Sequence, residues 1–545
     1  MGDKDAGKDI TCPFCFETFK DWQVHFRMEV REGNPLFEPQ KDQKYEDFWS
    51  EYGGTTEADV TQAESQAGGG TDEVLPYYHR VYDPHDSSHK NAFIKKDSQA
   101  DSSHTVLVRD VDGMVIGARD SFGKVTTERV CPHCHNLLPG DYGRNSVKLI
   151  SLIGITGAGK TVYLSQLCKF MQAQLGAYGV SVMPTSQYAY DYMNKNMVMM
   201  GEKLPEGTDP KRLLQPLCFD FTFSDPDGKQ HTQTFVFYDI AGENLMLAAG
   251  QGLGVQAKKF GKFILHSDAL IFLVDPVQFI VKGAGAAATS ASLTVINALF
   301  KAGANPNALK NIPLAVCISQ ADKPLDGMAS NACQFIAKGK SLADMQGAPI
   351  PGSNALAFDA ADYNQWQTCI DGFVNLLKTG GVAGKPGSGA NPLGAILSAN
   401  YYCYNYFMIE SIGVPLAEKS DSSGAVYQVP SKQPTPKRII EPILWILTIL
   451  SIDGSGRPAV AVEGKINEPK GWRCPSCNKW CSDTVTFCPK CGVNKKGEWR
   501  CRKCKRLNPR SAEWCESLGC NTNRSGGSRG FFVGLFSRIS RGRGA

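Results

Sequence analysis

The sequence predicts an α/β fold, a mostly parallel sheet with one antiparallel hairpin strand, flanked by small zinc-ribbon modules. Three observations predict it. Apolar runs at 147–153, 269–274 and 313–318 alternate with stretches of helical spacing, the pattern of strands covered on both faces. Two alternating runs, Cys218 to Phe223 and Thr234 to Tyr238, are joined by Asp225-Pro226-Asp227-Gly228, which makes an antiparallel hairpin. Thirteen of the 19 cysteines fall in short patterned regions near the two ends of the chain.

The length of 545 residues leaves room for two to four domains, and 42% hydrophobic with 21% charged residues is ordinary for a soluble globular chain. Net charge is +4, but residues 471–545 hold 16 Lys and Arg against 4 Asp and Glu, so that end is built to meet something anionic. The polar opening Met1 to Ala6 has no apolar signal core, which gives the expectation of a cytoplasmic protein with reduced, metal-competent cysteines. The most apolar stretch, 439–452, is broken by Glu441 and Pro442 and is too short to span a bilayer.

In chain order, residues 8–140 read as a split zinc ribbon with a long, partly disordered polar insertion at about 29–104. Thr105 to Val108 and Met114 to Ile116 flank Asp112-Gly113, a hairpin signal. Residues 145–455 carry the α/β pattern: a strand over 147–153, a helix from Val162 to Leu175, a polar stretch to about Leu214, and then the hairpin. Strands follow at Ala269 to Val274, Pro313 to Ile318 and Tyr406 to Ile409, with a closing helix over 438–450. Residues 470–522 read as two tandem four-cysteine fingers, and 523–545 as a basic, aromatic, flexible tail.

Gly154-Ile155-Thr156-Gly157-Ala158-Gly159-Lys160-Thr161 matches G-x-x-x-x-G-K-T between a strand and a helix. Glycines there let backbone N–H groups, through Val162, close around phosphate oxygens; Lys160 reaches the outer phosphates and the Thr161 hydroxyl can ligate Mg²⁺. Asp239-Ile240-Ala241-Gly242-Glu243 ends a strand. The Asp239 carboxylate can hold the same Mg²⁺ and the Gly242 N–H can meet a γ-phosphate.

The order of these parts resembles the translation-factor/Ras-like (TRAFAC) class of P-loop GTPases. The resemblance implies a GTPase-like sheet, GTP/GDP and Mg²⁺ as ligands, and Asp239-x-x-Gly242 as switch II. It makes Thr208, in Leu204-Pro-Glu-Gly-Thr208, the candidate switch I threonine on Mg²⁺ and γ-phosphate; a loop or N-cap threonine is the other reading. Glu243 takes the place of the glutamine that orients the attacking water, and is otherwise a surface glutamate. Ser319-Gln320-Ala321-Asp322 resembles the guanine-reading [NT]-K-x-D motif, with Gln320 where the lysine stands and Asp322 accepting from the base. Ser411-Ile412-Gly413 resembles its weaker base-contacting partner. No arginine finger is evident, which implies slow turnover without a partner.

Cys12-x2-Cys15 and Cys131-x2-Cys134 each supply half of a tetrahedral thiolate site and read as one split zinc ribbon, with His133 or His135 able to replace a ligand. Cys474-x2-Cys477-x10-Cys488-x2-Cys491 and Cys501-x2-Cys504-x10-Cys515-x4-Cys520 form an internal repeat and two further Zn²⁺ sites, about three in all, with Cys481 left over. The W-x-C-x2-C-x10-C form resembles Ran-binding nucleoporin-type fingers, with Asn508 fitting that type, and implies single-stranded RNA or a ubiquitin-like protein as partner. The tail, Arg529 to Arg538, combines aromatics with arginine and suits contact with an anionic membrane surface or a partner's groove.

The whole layout, CPxC…CPxC followed by the phosphate loop and Asp-x-Ala-Gly-Glu over about residues 8–455, is similar to the bacterial double-GTPase family of conflict (defence-type, anti-phage) systems. That resemblance implies a regulatory GTPase acting with other proteins of a multi-component system. An ATP-using P-loop enzyme and a zinc-finger adaptor with a non-hydrolysing nucleotide domain are the rival readings.

Overall fold

A computed structural model describes residues 7–31, 33–52, 78–94, 106–155, 157–176, 179–205, 207–208, 213, 215–224, 229–245, 255–275, 292–300, 309, 312–320, 356–357, 396–397, 399–401, 403–450, 462–463, 471–476, 480–482, 486–488, 493–501, 503–517 and 520. Its centre is a seven-stranded sheet built from β1 (Ser146–Gly154), β2 (Ser181–Pro184), β3 (Leu217–Ser224), β4 (Gln230–Asp239), β5 (Ala269–Val274), β6 (Leu314–Ile318) and β7 (Tyr404–Met408). The strand order is β2-β3-β4-β1-β5-β6-β7. β4, β1, β5, β6 and β7 pair in parallel, while β3 is antiparallel to both of its neighbours.

Burial follows from that order. β5 and β6 are buried at every position, as parallel strands between two layers must be. β3 instead alternates buried and half-buried residues near the sheet edge. Helix α1 (Lys160–Gly176) follows β1 and buries Tyr163, Leu164, Leu167, Cys168 and Met171. Two elements fall where the sequence reads only as polar: edge strand β2 and helix α2 (Gln187–Lys195), capped by the Ser186 hydroxyl on the Ala189 N–H. Helix α3 (Val255–Leu265) precedes β5. A further hairpin, β8 (Leu416–Ser420) with β9 (Val426–Pro430), turns at Asp421 to Gly424, and helix α4 (Glu441–Leu450) closes the series. No helix among the described residues is long and apolar enough to cross a membrane.

The polar insertion is less open than its composition suggests. Within 29–104 the strand Val81–Tyr82 completes a three-stranded sheet with His25–Arg27 and Arg129–Val130. The helix Gln43–Glu51 buries Phe48 and Trp49, with the Trp49 indole N–H donating to Asn136 Oδ1 at 2.9 Å. A few aromatics spaced on one helical face suffice to dock a mostly polar segment. Residues 53–77 and 95–105 lie outside the described residues. Cys12, Cys131 and Cys134 belong to the same buried cluster as the central sheet, whereas Trp472, Cys474, Cys488, Val493, Trp499, Cys501, Cys515 and Cys520 form a second cluster of their own.

Candidate functional site

The C-terminal end of β1 feeds the glycine loop. Gly157 and Gly159 adopt φ of +81° and +79°, a region that side-chain-bearing residues avoid, and so the loop can curl with its N–H groups inward. Ile155 is buried and its carbonyl accepts the Ala158 N–H at 3.1 Å. Lys160 opens α1; its Nζ donates to the Gly154 carbonyl at 3.3 Å, which keeps the ammonium at the throat of the loop. Residues Gly157 to Val162 form one wall of a cavity of about 350 Å³, a size suited to a small ligand.

Three residues from separate elements meet beside that wall. The Thr208 hydroxyl donates to Asp239 Oδ2 at 2.5 Å, the Thr161 hydroxyl lies 3.5 Å from the same oxygen, and the two hydroxyls are 3.2 Å apart. Asp239 Oδ1 is buried with no hydrogen-bond partner among the described residues. Burial raises the Asp239 carboxyl above the usual carboxylate range, opposed by the Lys160 charge and by the Thr208 and Thr161 hydroxyls. A buried carboxylate with one bare oxygen beside two hydroxyls is a set of hard oxygen donors, and it fits Mg²⁺.

The other walls come from later segments. Gln320, at φ +52°, donates from Nε2 to the Gly157 carbonyl at 3.1 Å and so ties the loop after β6 to the glycine loop. Ser411 lines the cavity, and its carbonyl accepts from Gln166 Nε2 of α1 at 3.0 Å. Leu204, Pro205, Gly207, Ser319, Ile412, Val414, Leu416 and Gln428 also line it, of which Val414, Leu416 and Gln428 lie outside the segments the sequence singled out. β8 and β9 also hold the segment ahead of Thr208: the Gly201 N–H donates to the Pro430 carbonyl and Lys419 Nζ to the Gly201 carbonyl, both at 2.9 Å. The alternation around Asp421-Ser-Ser-Gly424 was the available signal for that hairpin. Gly242 is buried and begins a short 3-10 turn, Gly242–Leu245. Thr156, Asp322 and the Glu243 side chain lie outside the described residues.

The sulfur sites are built from repeated knuckles. The thiols of Cys12, Cys15, Cys131 and Cys134 all lie within 4.8 Å of one another, as do those of Cys501, Cys504, Cys515 and Cys520. Three knuckles share one backbone plan. The first cysteine's carbonyl accepts from the residue four places on, Phe16 N at 3.1 Å, His135 N at 2.9 Å and Lys505 N at 3.0 Å. That same residue takes positive φ each time: Phe16 +63°, His135 +53°, Lys505 +64°. Phe14 N and His133 N also point at Cys12 Sγ and Cys131 Sγ, each at 3.4 Å. Four crowded thiols with N–H groups aimed at sulfur fit a thiolate-bound Zn²⁺.

His135 is no ligand in either cluster. Its Nδ1 is 2.8 Å from Asp42 Oδ1 and its Nε2 is 3.2 Å from His25 Nδ1. The Arg506 backbone N–H brings the Cys504 thiol down to about 6, against burial and with help from Cys515, Cys520 and Cys501. Asn508 is buried, donates to the Arg506 carbonyl and accepts from the Glu516 N–H at 2.8 Å, so it braces the finger from inside. Of the first finger, Cys474 and Cys488 are buried, while Cys477, Cys491 and the tail 523–545 lie outside the described residues.

No family model matches this chain. It is 28% identical over 159 residues to the putative ESX-1 scaffolding and assembly protein SaeC of Mycolicibacterium smegmatis, a match that takes in 27% of this chain and 38% of the relative's length. A solved structure, the G domain of the FeoB iron transporter of T. maritima, is similar at 11% identity over 32% of this chain and 74% of that one, with a TM-score of 0.15. The reading of the site rests on its own residues.

Proposed function

We propose that this chain is a regulatory GTPase that binds and slowly hydrolyses GTP with Mg²⁺ and passes its nucleotide state to partner proteins. One observation supports it above the rest: Thr161, Thr208 and Asp239, from the glycine loop, the segment before the antiparallel strand and the end of a parallel strand, converge beside the cavity, with Asp239 Oδ1 without a partner among the described residues. In P-loop NTPases the loop Ser/Thr and a strand-end Asp hold the Mg²⁺ that accompanies the nucleotide. Bound at Thr161, Thr208 and Asp239, Mg²⁺ supplies charge neutralisation at the phosphate oxygens.

In this reading the N–H groups of the glycine loop cradle the inner phosphates, and Lys160 turns from the Gly154 carbonyl to the outer ones. Thr208 and the Gly242 N–H sense the γ-phosphate, so its loss frees both segments. Glu243 orients the attacking water. Gln320 ties base loop to phosphate loop through the Gly157 carbonyl, and Asp322 accepts the two guanine N–H groups that adenine lacks. Domains over 8–140, 145–455 and 470–522 divide the work: nucleotide in the middle, Zn²⁺ at either side, and RNA or a ubiquitin-like protein at the C-terminal fingers. The resemblance to double-GTPases supports reading the chain as a cytoplasmic member of a bacterial conflict-type system.

Titration of GTP, ATP and xanthosine triphosphate against the full chain tests this. GTP binds tightest, Asp322→Asn moves the preference toward xanthine, and Lys160→Ala lowers hydrolysis at least about a hundredfold. Equal ATP binding, or an unchanged preference in Asp322→Asn, sinks the guanine assignment. The relative's description as a scaffolding and assembly protein favours a second reading, an adaptor that binds GTP to organise an assembly without hydrolysing it. Bound GTP with phosphate release at background in the wild-type chain, as in Lys160→Ala, supports that reading instead.

A further inference from the structure

The N-terminal cysteine site and the nucleotide cavity are joined through Tyr238, the residue before Asp239 in β4. Neighbouring side chains leave a strand on opposite faces, so Tyr238 points away from the hydroxyl cluster that Asp239 joins. The Tyr238 hydroxyl donates to the carbonyl of Pro13 at 2.7 Å, inside the Cys12-Pro-Phe-Cys15 loop. Its ring packs on Phe16 at 6.0 Å and on Phe263 of α3 at 5.1 Å. Phe16 in turn meets Phe263 at 5.0 Å and stacks on His266 at 4.4 Å. The insertion helix grips the same α3: Tyr52 packs on Phe260 at 5.7 Å, and Glu51 pairs with Lys262 at 3.3 Å. The knuckle, the end of β4 and α3 are thereby one bracket, closed on both sides of the segment that starts at Asp239.

We propose that Tyr238 is a positioning residue through which a metal held by Cys12, Cys15, Cys131 and Cys134 sets the nucleotide site. The loaded knuckle fixes the Pro13 carbonyl, that carbonyl fixes Tyr238, and Tyr238 fixes the backbone that presents Asp239 to Thr161 and Thr208. Metal and nucleotide then bind with positive linkage, each tightening the other by one common factor. The proposal rests on the nucleotide reading above. The C-terminal cysteine site shares no member of its buried cluster with the main core among the described residues, and so it provides an internal control.

The test is peptide-resolved thiol alkylation of the full chain in the presence of a zinc-selective chelator that spares Mg²⁺, with GTP binding measured in the same samples. Mg²⁺ with saturating GTP is expected to slow alkylation of Cys12 and Cys15 about tenfold and to leave Cys501 and Cys504 unchanged. Tyr238→Phe removes that protection at the same GTP saturation. In the reverse direction, Cys15→Ser weakens binding of a fluorescent GTP analogue about tenfold, and Cys504→Ser does not. Bound GTP with unchanged alkylation of Cys12 and Cys15 overturns the coupling alone; no bound GTP overturns both readings. Protection that persists in Tyr238→Phe overturns the positioning role of Tyr238; if that variant does not fold, Tyr238→Leu is read in the same way.

Discussion

Cys12 and Cys134 stand 122 residues apart in sequence and meet at 3.7 Å; Cys501 and Cys520 stand 19 apart and meet at 3.6 Å. The local chemistry of the two sites is the same, down to the positive φ after the second cysteine. Their relation to the rest of the chain is opposite. The long-range site closes over the insertion helix, shares its buried cluster with the central sheet and touches Tyr238. The short-range site packs only with its neighbouring finger, through Trp472, Cys474, Cys488 and Val493, in a cluster that shares no member with the main core among the described residues. A metal that ties distant segments stabilises whatever they enclose, whereas one that ties neighbours stabilises only its own turn.

The largest expected effect breaks that contrast directly. Replacing Cys15 and Cys131 together by serine removes two thiols from the site built into the main core. The main thermal transition should lose on the order of 5 kcal/mol, and the cavity beside the glycine loop should melt with it. The same double change at Cys501 and Cys504 should abolish the fold of the finger and leave the main transition in place. Calorimetry on both variants reads the difference; equal shifts of the main transition would show the two sites to be equivalent supports.

How much of this was legible in the sequence follows the same division. The tandem cysteines of the tail, the glycine loop, β1, β5 and β6 are local patterns, and a local pattern can be read from spacing alone. Asp239 and Thr208 could be named because each ends or precedes a recognisable strand, but their meeting at 2.5 Å is a tertiary fact. The edge strand β2 and helix α2 were hard to see because Ser181–Pro184 is too short for periodicity and the nine-residue α2, rich in tyrosine, lies in an otherwise polar stretch. Val414, Leu416 and Gln428 of the cavity wall were missed because a hairpin with exposed residues on β8 looks like a loop. Trp49 was lost in a segment whose average composition reads as disorder, since an average hides a single anchoring residue.

Trp49→Ala sharpens the contrast at the next scale down. It deletes a buried indole that sits on Phe14 at 6.3 Å and on Asn136, and it should cost the main transition about 3–5 kcal/mol. Trp499→Ala deletes an indole that donates to the Ala512 carbonyl at 2.8 Å, a loss of similar size confined to the finger. Hydrogen exchange along the central sheet should rise in the first variant and stay as in wild type in the second.

Acid separates the two sites further, because residues 471–545 contain no histidine. Burial pushes the His25 imidazole down to about 4, against the pull of Asp83. An imidazole depressed in the folded state stays neutral there and takes up a proton on unfolding. Its contribution is therefore whole above the unfolded value of about 6.5 and is lost as pH falls from there toward 4, by about 2 kcal/mol between pH 7 and pH 5. His25→Gln should flatten the denaturation midpoint across that window by this amount. A midpoint that falls equally in the variant would assign the acid sensitivity to the thiolates, which both sites have.

The smallest effect tests what the two sites share. Phe16, His135 and Lys505 hold the same left-handed position, yet only Lys505 is exposed and free of the packing that fixes the other two. Glycine reaches that φ without steric cost, so Lys505→Gly should leave the finger unchanged or stabilise it by up to about 1 kcal/mol, set against the extra freedom it gives the unfolded chain. Phe16→Gly relieves the same strain but removes the ring stacked on His266 and packed on Phe263 and Tyr238, and so its sign should reverse. Zinc competition on the finger and denaturation of the main transition measure the two changes. Opposite signs would show that one backbone device serves two ends: at the tail it only folds the knuckle, and at the N-terminus it also aims the residue that binds knuckle to sheet.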